Sequence, residues 1–175
     1  LDRYVIISSV RSKRPHEFKE SSAKDKKDQK CFFCPGNEEQ TPDEIGKVEK
    51  DGKWTMRWFP NKFPAVQEEW EHKFKTADRF FTYAEPIGKH EIIVETNDHS
   101  KQIYDLDENE IKELFQIYSA RISKLSKKEK ISYVCVFKNH GQKAGTSIAH
   151  SHSQIIAYNK IPNLVKEEVE ASTSY

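Results

Sequence analysis

Residues His150-Ser151-His152-Ser153-Gln154-Ile155-Ile156-Ala157-Tyr158 lead an imidazole pair straight into a run of strand formers. The strand reads from about His152 to Tyr158. Upstream, a loop holding Gly141 and Gly145 separates it from a second strand, Ile131–Phe137. Before that lies a helix, capped by Asp105 or Asp107, with Glu108 and Glu110 in the favourable acidic first turn. Its apolar positions, Ile111, Leu114, Phe115, Tyr118, Ile122 and Leu125, are spaced by three, four or seven along one stripe. Lys124, Lys127, Lys128 and Lys130 suit its C-terminal end. Further upstream, His90–Glu95 reads as a strand stopped by Asn97 and Asp98. Trp54–Phe59 reads as another, ended by Pro60, with Asn61-Lys62-Phe63-Pro64 as a turn. The opening Arg3-Tyr4-Val5-Ile6-Ile7-Ser8 has strand composition. Several strands, one long helix and short returns predict an α+β fold: an antiparallel sheet with one long helix packed on it.

The chain has 175 residues and a mass of 20.5 kDa, which fits one domain spanning 1–175. A chain of this size can bury a sizeable core. Its hydrophobic fraction is 35% against 33% charged, with a mean hydropathy of −0.86, so that core is modest under a wet surface. The basic residues number 29 and the acidic 28, a net charge of +1. No global field therefore draws the chain to nucleic acid or an anionic membrane. No apolar run approaches the roughly 20 residues of a membrane helix, and no export signal is visible, so a cytoplasmic location is expected. Residues 19–30 are Ser, Lys, Asp and Gln with hardly an apolar anchor, the composition of a flexible loop. The charged tail after Pro162, residues 163–175, is expected to fray.

Three cysteines exclude a disulfide scaffold, and two of them form Cys31-Phe32-Phe33-Cys34. With His150 and with His99 of Asn97-Asp98-His99-Ser100, they would complete the two-thiolate, two-imidazole shell of a structural zinc ion. The spacing is foreign to a zinc finger, so the ion would clamp distant segments of a tertiary fold. A reduced cysteine pair with unrelated surface histidines is the competing reading. A thiol redox pair is a third; such pairs open a helix, and Pro35-Gly36-Asn37 makes a turn instead. Cys135 reads as a core thiol, and His16, His72, His90 and His140 read as surface or structural residues.

The whole set resembles the galactose-1-phosphate uridylyltransferase family, the transferase branch of the histidine-triad superfamily. The residues that carry the likeness are Cys31 to Asn37, Asn61 to Pro64, Asp98-His99-Ser100, Phe137-Lys138-Asn139 through Gly145-Thr146-Ser147, and His150 to Gln154. The opening strand and the basic turn Arg11-Ser12-Lys13-Arg14-Pro15 belong to it as well. The resemblance implies a histidine-triad-like fold and a nucleotidyltransferase with Cys31, Cys34, His99 and His150 as zinc ligands. It implies His152 as the nucleophile that forms a covalent nucleotidyl-histidine. Arg11, Arg14, Asn61, Lys62, Asn139, Gly145, Thr146, Ser147 and Gln154 fall at positions that hold the nucleotide-sugar. Glu168 matches a carboxylate of a second, non-essential metal site. The family also implies a homodimer and a second, related half that these residues do not include.

The implied reaction is ping-pong transfer of UMP from UDP-glucose to galactose 1-phosphate. A neutral imidazole is a competent nucleophile at neutral pH, provided an acceptor holds its other nitrogen and fixes the tautomer. Gln154 can donate a neutral hydrogen bond to a phosphate oxygen and does not titrate. Gly141 and Gly145 let backbone approach phosphate, where Ser147 or Lys143 can add donors. The family's best-known members place proline between the two histidines, whereas this chain has Ser151. Ser-His-Ser also occurs in relatives resembling ADP-glucose phosphorylase, so adenylyl transfer from ADP-glucose to phosphate is the alternative. A non-catalytic, zinc-stabilised module binding nucleotides or RNA is the alternative from another class.

Overall fold

The computed structural model describes residues 5–8, 31–69, 74–76 and 82–175. Its frame is a five-stranded antiparallel sheet in the order β1-β2-β5-β7-β6. These strands are β1 (Gly46–Lys50), β2 (Lys53–Pro60), β5 (Gly88–Val94), β6 (Tyr133–Phe137) and β7 (His152–Tyr158). A two-stranded ribbon, β3 (Lys75–Thr76) with β4 (Thr82–Tyr83), stands apart from it. The expected α+β class, an antiparallel sheet with one long helix on it, is what the chain adopts. Among the described residues, no helix is long and apolar enough to cross a membrane.

Helix α1 (Glu108–Ser126) is started by Asp107, whose carboxylate accepts from the backbone of Asn109 and Glu110. The Glu110 carboxylate in turn accepts from the Asp107 N–H, completing a capping box. Leu114, Ile117, Arg121 and Leu125 are the buried positions of α1, packed over Met56, Ile93, Ile155 and Ala157 of the sheet. This is not quite the stripe the apolar spacing predicts. Phe115 and Ile122 lie on the outward side, 60% and 38% exposed. Arg121 takes a core position because Glu91 meets it there, in a two-bond pair of 2.9 and 2.7 Å. A polar side chain can occupy that site only because its partner arrives from β5.

Period-two alternation divides the strands between two faces. On β5, Glu91 and Ile93 point to α1, as does Glu95 just past its end, whereas His90, Ile92 and Val94 point away from it. On β7, Ile155 and Ala157 lie under the helix. The face away from α1 has its own cluster of Phe33, Trp54, Phe59, Ile92, Val94 and Ile148, with Cys31 among them.

Three local expectations are corrected. Val5–Ser8 joins no strand; Val5 and Ile7 are 81% and 80% exposed, and Ser8 is tied to the Pro64 carbonyl. β-forming side chains make a strand only where an edge accepts them. Residues beyond Pro162 form helix α2 (Asn163–Thr173) instead of a frayed tail, with good helix formers but no buried residue. The reading also passed over β1, whose hairpin with β2 turns at Asp51-Gly52, both at positive φ (53° and 73°). The Asp-Gly pair is the signal that could have found it. Arg11, Arg14, His16, His72, Trp70 and the loop 19–30 lie outside the described residues.

Candidate active site

The turn Cys31–Asn37 is built from backbone bonds Cys34 N–H to Cys31 O and Asn37 N–H to Cys34 O. The buried Asn37 side chain also donates to the Cys31 carbonyl. This knuckle brings both sulfurs to the start of β7, where His150 lies fully buried, and to His99 in the loop after β5. One ligand atom from each of Cys31, Cys34, His99 and His150 lies within 4.8 Å of every other. Cys34 Sγ is 3.3 Å from His99 Nδ1 and 3.6 Å from His150 Nδ1, and Cys31 Sγ is 3.8 Å from His150 Nδ1. A tetrahedral ion with metal–sulfur bonds of about 2.3 Å and metal–nitrogen bonds of about 2.0 Å requires edges of about 3.3–3.8 Å. The donor set therefore fits a metal ion. His150 Nε2 donates to the Thr96 carbonyl at 2.7 Å, which leaves the Nδ1 lone pair facing the sulfurs. Burial pushes the His150 pKa below the usual imidazole value, which keeps that lone pair free. Glu168 lies exposed on α2 and joins no metal-ligand cluster among the described residues.

Two residues on, His152 opens β7, pairing with Val94 across the sheet. Its Nδ1 is 2.8 Å from the His150 carbonyl. A carbonyl only accepts, so Nδ1 carries the proton and the ring's basic lone pair sits on Nε2. The edge of Phe33 packs against the imidazole, with ring centroids 5.2 Å apart.

His152 lines two cavities at once. The first, about 270 Å³, has aromatic walls from Phe32, Phe33, Phe59 and Phe63 and polar groups from Asn61, Thr146, Ser147 and Gln154. Lys62 and Gly145 also line it. The second, about 240 Å³, is more polar and includes Gln102, Tyr104, Lys138, Asn139 and His140. The sequence-predicted binding residues thus divide: Asn139 belongs to the second cavity, Thr146 to both and the other described ones to the first. Lys143 lines neither and is exposed. Gly141 and Gly145 both have positive φ (76° and 81°), the backbone state that lets the loop fold tightly around the turn Gln142–Ala144. The Thr146 hydroxyl closes the loop by donating to the Asn139 carbonyl.

The site also contains a residue that no sequence pattern singles out. His90 is 4% exposed, and its Nδ1 accepts from the Ala65 N–H at 3.1 Å. In the neutral ring Nε2 is then the donor, and Gln154 Oε1 lies 2.9 Å from it. That bond occupies the amide oxygen of Gln154, a side chain that lines the first cavity, and leaves its NH₂ as a donor. Only the cross-strand register of β5 and β7, with His90 two positions before Ile92 opposite Gln154, brings the two together.

A model of the galactose-1-phosphate uridyl transferase N-terminal domain matches residues 1–162, and the chain belongs to this family. It is 33% identical over 179 residues to the ADP-glucose phosphorylase of Arabidopsis thaliana, covering 99% of this chain and 51% of that protein. It is 28% identical to the galactose-1-phosphate uridylyltransferase of Haemophilus influenzae, covering 100% of this chain and 49% of the relative. The crystal structure of the Arabidopsis ADP-glucose phosphorylase with bound ADP-glucose superposes with a TM-score of 0.74 at 31% identity, over 99% of this chain and 51% of that one. The chain spans about half the length of the curated relatives it matches.

Proposed function

We propose that the protein to which this domain belongs is a nucleotidyltransferase in which His152 attacks the α-phosphorus of a nucleotide-sugar. The principal reading is UMP transfer from UDP-glucose to galactose 1-phosphate. The observation that carries it is the bond from His152 Nδ1–H to the His150 carbonyl, which leaves Nε2 as nucleophile between two cavities. The aromatic cavity suits a nucleoside and the polar one a sugar phosphate. Nε2 forms the bond to phosphorus as the bond to the bridging oxygen breaks, and the sugar 1-phosphate leaves with that electron pair. A sugar phosphate is a weak base, so no general acid is needed. The NH₂ of Gln154 donates to a phosphate oxygen as charge develops there. Galactose 1-phosphate then attacks the same phosphorus and frees His152.

Cys31, Cys34, His99 and His150 would hold zinc, which supplies rigidity at the head of β7. His150 fixes the strand that carries the nucleophile two residues away. Arg11, Arg14, Asn61, Lys62, Asn139, Gly145, Thr146 and Ser147 are assigned to holding the nucleotide-sugar. Assembly as a homodimer belongs to the same reading, and light scattering on the full-length protein tests it.

Adenylyl transfer from ADP-glucose to phosphate is the second reading. Ser151 between the histidines and the 33% identity to the Arabidopsis ADP-glucose phosphorylase support it. Intact mass spectrometry of the zinc-loaded protein with UDP-glucose or ADP-glucose decides between them. The principal reading expects a covalent adduct of UMP mass that His152→Ala lacks. An AMP adduct alone selects the second reading, and no adduct with either sugar nucleotide removes both.

A further inference from the structure

Behind the candidate nucleophile, on the α1 side of the sheet, lies a buried ionic cluster that the chemistry above does not use. Glu95, the residue after β5, is fully buried. Its Oε2 receives the Lys138 ammonium at 2.6 Å and the Ser151 hydroxyl at 2.5 Å. Its Oε1 receives the Ser153 hydroxyl, and the Tyr118 hydroxyl lies 3.2 Å away. Lys138, just past the end of β6, also donates to Ser151 Oγ at 2.9 Å and to the backbone carbonyl of His152 at 3.2 Å. The Glu95 N–H donates to the Ser151 carbonyl at 3.1 Å. Each of the three residues 151, 152 and 153 is thus bonded to one charged pair.

We propose that Glu95 and Lys138 are positioning residues for His152, fixing the backbone of residues 151–153 so that the imidazole on the opposite face is held in its attacking orientation. The proposal rests on His152 being the nucleophile. Two anchors then act on one short segment from opposite sides. His150 is tied to the thiols and the Thr96 carbonyl on one face, and Ser151 and Ser153 are tied to Glu95 on the other. It also gives the serines a reason: a hydroxyl on a single carbon reaches the carboxylate, and the proline found between the histidines elsewhere in the family has no donor to offer.

The electrostatics are self-consistent. Burial alone would push the Glu95 carboxyl up, but the adjacent ammonium and the serine hydroxyls outweigh it and hold the group below the usual glutamate range. Burial and the Glu95 charge push the Tyr118 phenol up, so it stays a donor. An ionised carboxylate with four donors around it is far more rigid than an apolar contact, because each bond is directional and its loss strands a buried charge.

The test uses the zinc-loaded, full-length protein and four forms: wild type, Glu95→Gln, Lys138→Met and the double variant. For each, the single-turnover rate of adduct formation, the nucleotide-sugar Kd, the zinc content and Tm are measured. Glu95→Gln should keep zinc and bind the nucleotide-sugar within about threefold, while adduct formation slows by about 10–100-fold, the usual cost of small misplacements. Lys138→Met, whose ammonium also lines the polar cavity, should keep zinc and slow adduct formation to the same extent at saturating nucleotide-sugar. The double variant separates positioning from stability. It removes both charges and should recover Tm relative to Lys138→Met, yet its rate should stay slow. Recovery of the rate together with Tm, or wild-type rates in the single variants, overturns the proposal while leaving His152 as nucleophile. A wild-type protein that forms no adduct removes the nucleotidyl-transfer reading, and the positioning role with it. Should Glu95→Gln fail to fold, the decision falls to Lys138→Met and Ser151→Ala, which touch a partly exposed ammonium and a single hydroxyl.

Discussion

The two faces of the central sheet use the same strands for opposite ends. Toward α1 the strands present hydrocarbon sealed by a helix, and the two buried carboxylates described there are matched: Glu91 by Arg121 and Glu95 by Lys138. Away from α1 the alternate residues of β5 and β7 present His152 and Gln154 to the cavities, with His90 bonded behind Gln154 and Cys31, Cys34, His99 and His150 gathered at the strand's head. A residue on the helical face is replaceable by anything of matching shape and charge. One on the open face owes its identity to a lone pair or a donor aimed outward. The hydrocarbon of the helical face should therefore answer mutation in stability, and the open face, with the Glu95–Lys138 pair behind it, in chemistry. Cys31, Cys34, His99 and His150 are the exception, because an ion held by them would tie the two together.

That exception gives the largest expected effect. Structural zinc sites contribute about 10–16 kcal/mol of apparent binding energy, comparable with the whole stability of a domain. A strong chelator should lower Tm markedly, and Cys34→Ser should melt like the chelated wild type. Coincident melting curves with and without chelator would show that the four donors hold nothing up.

Next in size is the sealed face. Leu114 is fully buried on the inner side of α1, so Leu114→Ala should cost about 2–5 kcal/mol. At about 2–4 °C per kcal/mol for a chain of this length, the loss is plain in a thermal scan, while the rate of adduct formation at low temperature stays near that of wild type. A slowed rate at full folding would break the division between the faces.

The open face should give the reverse pattern. His90→Phe removes the donor that holds the Gln154 amide oxygen. We expect a roughly tenfold slower adduct formation, the scale of one hydrogen bond of about 1.4 kcal/mol, with little change in nucleotide-sugar affinity. An unchanged rate would mean that Gln154 orients itself without help.

The smallest effect concerns the start of α1. The Glu110 and Asn109 backbone N–H groups hold the Asp107 carboxyl below its usual pKa. A carboxylate with a depressed folded-state pKa stabilises fully above the ordinary aspartate value of about 3.9, and that contribution disappears as pH falls through the lowered value. Asp107→Asn should therefore be slightly less stable than wild type at neutral pH, with the gap closing in acid. A gap independent of pH would assign the cap's benefit to hydrogen bonding alone.

How much of this was legible in the sequence follows the same division. β7 was readable to its ends because its imidazoles, β-branched residues and flanking turn signals agree. The capping Asp107 and the acidic first turn announced α1, and the four metal-ligand side chains could be picked out as residue types. Where two distant residues had to meet before either made sense, the sequence was silent. Arg121 looks like a surface residue until Glu91 is placed under it, and His90 looks generic until the register sets it beside Gln154. Lys138 and Glu95 are ordinary charges in the sequence and become a pair only when β5, β6 and β7 lie side by side. Phe115 and Ile122 erred the other way, since their spacing satisfied a helical period but the helix turned a slightly different side inward.

The alternation along residues 150–154 also bears on how such a chain can change over time. Removing or adding a single residue there would rotate every later side chain of the strand by half a period. The imidazole at 152 would be driven under the helix and a serine would take its place before the substrate. Exchange of one amino acid for another is open to this segment, as the serines show, but a change in its length is closed.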